Sequence, residues 1–362
     1  MGVKTSQGVL LTLLAIIVAI ALTWTFIALP YWLSGVLYSA YQSDTAGELY
    51  HGPQDEESQP YIRALHIRVI GYASLIIVLG LIVIGILAER RGLAVAGGIA
   101  LFLPVLGHFA LSMFFLAGLG LLRTIWMPLL DASYGATGDA GFGLFGLADV
   151  IYLPYIVAVY AVSWVGIDAR VAIGYVTMGA GLFIFVAGML AWFTTHLEQK
   201  GTADFWIYRF SRHPQYLGWI IWSYGLVLYW IHEGEGAHFK ISWGIPDSSP
   251  WLIATMVIIG VAMLEEIRMG QEQGEAYEAY RERTPFLLPL PRVVSRTIAA
   301  PMRWVLLKEW PESGKEVAIV IVMYTVMLFL LSYIYDMFDH LVVPFGRLDL
   351  FPYAYEILAD RL

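Results

Sequence analysis

Long apolar runs set the first reading of this chain. Gly8–Leu29, Val69–Leu87, Val150–Gly166, Val171–Thr195, Tyr216–Ile231, Trp251–Leu264 and Val317–Tyr333 each read as a membrane-crossing helix. The reason is geometric: roughly 20 apolar residues at about 1.5 Å rise cross the hydrocarbon core. An eighth run, Leu93–Leu130, is broken by Pro104, Gly107 and His108. It reads as one long tilted span or, preferably, as a tight hairpin of two short ones, for a total of about eight or nine crossings. The first run follows a single lysine and has no small-residue cleavage site behind it, so it is expected to stay as an uncleaved span.

Charge placement orients these spans. Arg268, Arg281, Arg283, Arg292, Arg296, Arg303 and Lys308 follow Leu264, and Lys200, Arg209 and Arg212 precede Tyr216. Both stretches are expected on the cytoplasmic side, and the mainly acidic loop between them on the outer side. In the first half, loop Ser39–Arg63 carries Asp44, Glu48, Asp55, Glu56 and Glu57 and is expected outside, while Glu89-Arg90-Arg91 is expected inside. Only a hairpin at Leu93–Leu130 lets Arg91 and Arg212 lie on the same side, which is why it is preferred.

Composition agrees with this picture. The chain has 362 residues, 59% of them hydrophobic and only 14% charged, with a mean hydropathy of +0.69. A soluble domain carries about 25% charged residues. The expected fold class is therefore an all-α polytopic membrane helix bundle with an arginine-rich helical segment on the cytoplasmic side. The formal net charge is -8, and no basic stripe is present, so nucleic acid is excluded as a partner. There are no cysteines, which excludes disulfides, zinc–thiolate sites and thiol nucleophiles. The eight histidines never pair at metal-ligand spacing on a helix, so no metal is expected. No internal repeat is visible.

Three stretches carry candidate chemistry. In "YRFSRHPQYLGW", Arg212 and His213 stand just before an apolar run, where charge is costly. Pro214 suits the first turn of a helix, so free N–H groups, a positive dipole end and two cationic side chains meet at one point. That is a seat for a carboxylate or phosphate, or else an arginine snorkelling to headgroups and a capping histidine. In "LEEIRMGQEQGEAYEAYRERTPFLLP", Glu265 and Glu266 are adjacent and cannot share one helix face. One is expected to face the bundle, where it can accept from an ammonium group or ribose hydroxyls, and the other to face water. Tyr277 and Tyr280 share a helix side. In "TMGAGLFIF", Gly179 and Gly181 either permit close helix packing or leave room for a flat ligand.

The stretch Tyr208–Gly218 resembles the Y-R-x-x-RHP-x-Y-x-G signature of integral-membrane methyltransferases, a family that includes isoprenylcysteine carboxyl methyltransferases and phospholipid N-methyltransferases. Glu265, Glu266, Gly274, Tyr277, Tyr280, Pro285 and Pro289 fall at the places of that family's second signature. Gly179-Ala180-Gly181 is similar to a G-x-G that precedes these in phospholipid methyltransferases. Met269, Gln273 and Thr284 depart from the family's Leu, Phe and Val, and Trp206-Ile207 stand where Gly-Pro often precedes the tyrosine. The resemblance covers Val171–Pro289. It divides the chain into 1–170, of unassigned role, a cofactor-binding core at 171–289, and 290–362 with one further span.

The resemblance implies S-adenosylmethionine as cofactor, bound on the cytoplasmic side. It implies cofactor binding by Gly179, Gly181, Tyr208, Arg212, His213, Pro214, Tyr216, Gly218, Glu265, Glu266 and Tyr277, with Arg212, Glu266 and Tyr216 as catalytic residues. The expected reaction is in-line transfer of a methyl group, driven mostly by positioning and desolvation. The acceptor is expected to be a lipophilic small molecule or lipid reaching the site from the bilayer: an isoprenoid or prenylated carboxylate, or a phospholipid amine. Two other readings share parts of this pattern. One is an NADPH-dependent, sterol-reductase-like enzyme, which shares the RHP-x-Y region but usually has an aspartate soon after the glycine. The other is a lipid-binding or transport protein without catalysis. The acceptor and the oligomeric state are not legible in the sequence.

Overall fold

The computed structural model describes residues 5–41, 66–102, 128, 146–197, 204–233 and 248–342. Among them there is no strand, and the chain is a helical bundle. Its helices are α1 (Thr5–Tyr41), α2 (Ile67–Leu87), α3 (Arg91–Phe102), α4 (Leu153–Ser163), α5 (Arg170–Leu197), α6 (Pro214–Glu233), α7 (Ser248–Gln273), α8 (Glu275–Arg283), α9 (Arg292–Leu306) and α10 (Gly314–Val342). Short 3-10 segments at Gly146–Tyr152 and Trp206–Arg209 precede α4 and α6.

Among the described residues, five helices are long and apolar enough to cross a membrane: α1, α2, α5, α7 and α10. Such a set is compatible with a multi-pass membrane protein. Helix α6 has 20 residues, enough for about 30 Å, but its tyrosines and tryptophans dilute its hydropathy. The span expected at Val150–Gly166 is corrected here. Its first residues form a 3-10 turn and only 11 residues are α-helical, because Pro154 restarts the helix and Gly166, at φ 76°, lies in the turn that follows it. Of the Leu93–Leu130 run, only the part within α3 and Pro128 fall among the described residues, and the hairpin expected there lies outside them, as do most of loop Ser39–Arg63 and residues 343–362.

Lipid gives apolar helices little reason to associate, so close approach has to supply the attraction. Helix α5 does this with Gly174, Met178, Gly181, Phe185 and Gly188, spaced alternately four and three residues apart along one face. Gly218, Trp222, Gly225 and Leu228 of α6 meet them. A methyl group added at Gly181 would overlap the backbone nitrogen of Trp222, and one at Gly218 would overlap that of Phe185. Gly179, in contrast, faces open space.

Helix α7 is the centre of the bundle and is buried along most of its length. One side of it, with Val257, Val261 and Leu264, packs on Val78 and Ile82 of α2, Leu101 of α3 and Val317 and Ile321 of α10. Leu252 and Ile258 join the second cluster, built on Trp222 and Leu226 of α6. The backbone N–H of Gly314 donates to Glu89 Oε1 at 3.1 Å, and Arg91 Nη1 donates to Glu265 Oε1 at 2.7 Å. The turn Glu89-Arg90-Arg91 therefore sits at the same end of the bundle as Glu265 and the start of α10, as the charge pattern requires. The expected outcome of Gly181→Ala is a loss of about 1–3 kcal/mol by overpacking, whereas Gly179→Ala stays within about 0.5 kcal/mol. Unfolding of the two variants in detergent checks this.

Candidate functional site

At the end of the bundle marked by Arg91, the chain between α5 and α6 is pinned before it enters the helix. Tyr280 Oη donates to the carbonyl of Tyr208 at 2.8 Å, and the Arg212 N–H donates to the carbonyl of Pro285 at 3.0 Å. Arg212 Nη1 donates to the carbonyl of Arg281 at 3.3 Å. Pro214 then opens α6, since it needs no N–H partner in the first turn. These contacts hold Arg212 and His213, each only 7% exposed, against the last helical turns of α7. Gly274, at φ 56°, breaks α7 from α8 and folds α8 back over the same end.

Glu266 is the hub. It is 1% exposed, and its Oε1 accepts from His213 Nε2 at 2.9 Å and from Tyr277 Oη at 2.8 Å. Arg212 Nε lies 3.1 Å from the same oxygen, without the alignment of a hydrogen bond. The other oxygen, Oε2, is buried and has no hydrogen bond; Arg281 Nε stands 3.7 Å from it. Glu265 turns to the helix flank and is half-buried. It accepts from Arg91 at 2.7 Å and lies 3.6 Å from His213 Nδ1. His213 thus bridges both carboxylates.

Aromatic rings close one side. Phe286 and Trp310 meet edge to face, with centroids 4.9 Å apart. The Arg212 guanidinium lies 5.8 Å from each ring, and that of Arg281 lies 5.1 Å from Trp310. Trp310 Nε1 is buried without a partner. Phe286 also meets the His213 ring, which stacks on Tyr216 on its other side. Arg91, Arg212, His213 and Arg281 give four cationic groups. Glu265, Glu266 and Glu278, which is 3.1 Å from Arg281, give three carboxylates. The three arginines balance the three carboxylates, and cation is in surplus by one when His213 is protonated.

Protonation follows from these contacts. Burial pulls the His213 pKa down, but hydrogen bonds to Glu265 and Glu266 outweigh it and hold the pKa above its ordinary 6.5. Burial lowers the Arg212 pKa against the pull of Glu266. Burial raises those of Tyr208, Tyr277 and Tyr280, so all three remain neutral donors.

The structure therefore brings together Tyr208, Arg212, His213, Tyr216, Glu265, Glu266 and Tyr277. It does not bring the glycines to them. Gly181 and Gly218 are used up in the α5–α6 contact, Gly179 faces away from the bundle, and Pro214 shapes the helix start. Gly181 packs on Trp222, nine residues beyond His213, which is about 13 Å along α6. Four residues of the cluster escaped sequence reading. Arg91 and Arg281 counted only as topology-setting charges, Phe286 fills an unspecified position of the second signature, and Trp310 lies beyond the resemblance. For Arg281 a signal existed: it follows Tyr280 directly, on the helix that carries Tyr277.

Residues 151–284 match the model of a family described as a protein of unknown function (DUF1295). That match runs from the start of α4 to the end of α8 and takes in every site residue read from the sequence. No curated protein and no solved structure matches the chain.

Protonated His213 is the form that the fold favours. Its stabilisation is complete below the unfolded value near 6.5 and is lost as pH rises through the higher native value. Thermal stability in detergent is accordingly expected to fall as pH rises above this point. In His213→Gln that slope flattens. Glu266→Gln is expected to cost about 3–5 kcal/mol, because it strands buried cations, and Tyr277→Phe about 1–2 kcal/mol.

Proposed function

We propose that this chain is a membrane-embedded methyltransferase that takes a methyl group from S-adenosylmethionine to a lipophilic acceptor. The observation that carries this reading is the buried, unbonded Oε2 of Glu266 beside two guanidinium groups. A buried acceptor with no donor wants an N–H from a ligand, and surplus cation wants an anion. An α-amino acid group supplies an ammonium and a carboxylate a few ångströms apart. The methionine portion of S-adenosylmethionine has both, and NADPH has no ammonium, so the same feature disfavours the reductase reading.

Within this proposal Glu266 Oε2 accepts from the ammonium, and Arg212 and Arg281 hold the carboxylate with the bidentate geometry guanidinium groups favour. His213 and Tyr277 orient the Glu266 carboxylate by occupying Oε1. Phe286, Trp310 and the ring of Tyr216 exclude water from the same place. When bound, S-adenosylmethionine supplies an electrophilic methyl carbon on a cationic sulfur. Glu265, half-buried beside His213, is the carboxylate placed to take the proton of an ammonium acceptor; a carboxylate acceptor needs no such help. The apolar helices around the cluster support an acceptor that arrives from the bilayer, an isoprenoid or prenylated carboxylate or a phospholipid amine. The basic residues gathered at this end support a cytoplasmic site.

Isothermal titration of detergent-purified protein with S-adenosylmethionine, S-adenosylhomocysteine and NADPH tests the reading. Both sulfur ligands are expected to bind and NADPH not. Arg281→Gln, which alters a half-buried side chain and leaves the fold intact, is expected to weaken binding about tenfold or more, the worth of one charge-assisted hydrogen bond. Binding of NADPH alone would hand the site to the reductase reading.

A further inference from the structure

Helix α9 has no part in the site, yet it is the most sharply two-sided helix of the chain. At 100° per residue, Met302, Ala299 and Leu306 share one stripe and pack on the core formed by α2, α7 and α10. Met302 is 3% exposed. Beside that stripe, Val294, Ile298 and Val305 are exposed, and Val293 and Trp304 are exposed further round. Arg296 and Arg303 lie on the side opposite Val294, Ile298 and Val305. The helix carries Arg292, Arg296 and Arg303 and no acidic residue, and the one carboxylate paired with these arginines among the described residues, Glu309 at 3.6 Å from Arg303 Nη1, lies just beyond it.

Its C-terminus adds a second, separate observation. Leu307 caps the helix in the left-handed conformation, at φ 56°, with its N–H bonded to the carbonyl of Arg303 at 2.9 Å. Glycine is the usual residue there, because a side chain strains that conformation. The leucine is 88% exposed and the nearby Trp304 78%. Among the described residues, none covers either side chain.

The placement of α9 says what does. The hydroxyl of Tyr324 on α10 donates to the carbonyl of Ile298, which ties α9 to α10. The exposed Val322, Val326 and Leu330 of α10 are on a helix long and apolar enough to cross a membrane. Leu306, at the end of α9, packs on the same core cluster as Val317 near the start of α10, so the exposed face of α9 stands at the end where α10 begins. We propose that α9 is a boundary helix seated on an acidic phospholipid leaflet: Ile298, Val305, Trp304 and Leu307 enter the acyl region, and its arginines take the headgroup phosphates. The pattern of a basic, acid-free helix with an aromatic apolar face is the one that binds such surfaces, and each arginine near an acidic surface adds to the attraction. This assignment stands apart from the methyltransferase reading, since it uses none of the site residues.

The absence of cysteine makes the test clean. Single-cysteine variants Ile298→Cys, Trp304→Cys, Leu307→Cys and Glu309→Cys of the full chain are spin-labelled and placed one copy per disc in phosphatidylcholine nanodiscs, with and without phosphatidylglycerol. Collision with oxygen, which concentrates in lipid, is compared with collision with a water-soluble nickel chelate. Labels at 298, 304 and 307 are expected to favour oxygen and the label at 309 to favour nickel. The lipid preference at 304 and 307 is expected to deepen when phosphatidylglycerol is present. Labels at 304 and 307 that behave like the one at 309 would overturn the proposal. So would protection that appears only in discs holding two copies, which would give the face to a second chain. Equal depth in both lipid mixtures would remove the role assigned to the arginines and overturn the acidic-surface claim.

Discussion

One buried carboxylate organises this end of the bundle. A charge at the level of Glu266 is tolerable only when paired and hydrogen-bonded, and its partners come from two separate places: Arg212 and His213 at the start of α6, and Tyr277 and Arg281 on α8. Because His213 also reaches Glu265, which is held by Arg91, the same network extends to α3. The geometry of four helix ends is thus fixed by the need to keep one anion out of contact with hydrocarbon. The partner of Glu266 that is missing, on Oε2, is as informative as those that are present. Within the cluster, Glu266 Oε2, Arg212 Nε and Trp310 Nε1 are buried without a hydrogen bond, and buried polar atoms left unpaired in this way call for an explanation.

The remainder of the fold is held by a different physics. Along α5 and α6 there is almost nothing polar to pair, and the helices are joined by glycines that let backbones touch. Along α7 the contact is through branched apolar side chains on both flanks. The two modes divide the labour: packing without polarity sets the helix positions, and a compact polar network at one end uses those positions to hold charges within about 3–4 Å of each other. Trp310 and Phe286 belong to both, since they pack on the first core cluster and cover the guanidinium groups.

The comparison between expectation and structure turns on distance along the chain. The apolar runs, Pro214 at the start of α6 and the inward turn of one of two adjacent glutamates were legible in the sequence, because each is decided by residues within a turn or two of itself. The Val150–Gly166 run was misjudged for the complementary reason: hydropathy counted it as one span, while Pro154 and the 3-10 turn before it shorten the helix. Gly179 and Gly181 were read as one unit, yet two residues make a helical rotation of about 200°. One therefore met α6 and the other met nothing.

By itself the sequence determined that the chain is a helical membrane bundle and that Arg212, His213, Glu265 and Glu266 carry its concentrated chemistry, since only function or pairing explains such residues beside apolar runs. Only the tertiary structure decided which glutamate is the hub, that Arg91, Arg281, Phe286 and Trp310 complete the cluster, and that Gly181 and Gly218 serve packing while Gly179 faces open space. Those facts depend on contacts between residues 53 and 174 positions apart, as in His213–Glu266 and Arg91–Glu265. Local sequence sets a helix and its faces. Which faces meet is fixed by the simultaneous packing of all the helices and by the cost of leaving a buried charge unpaired.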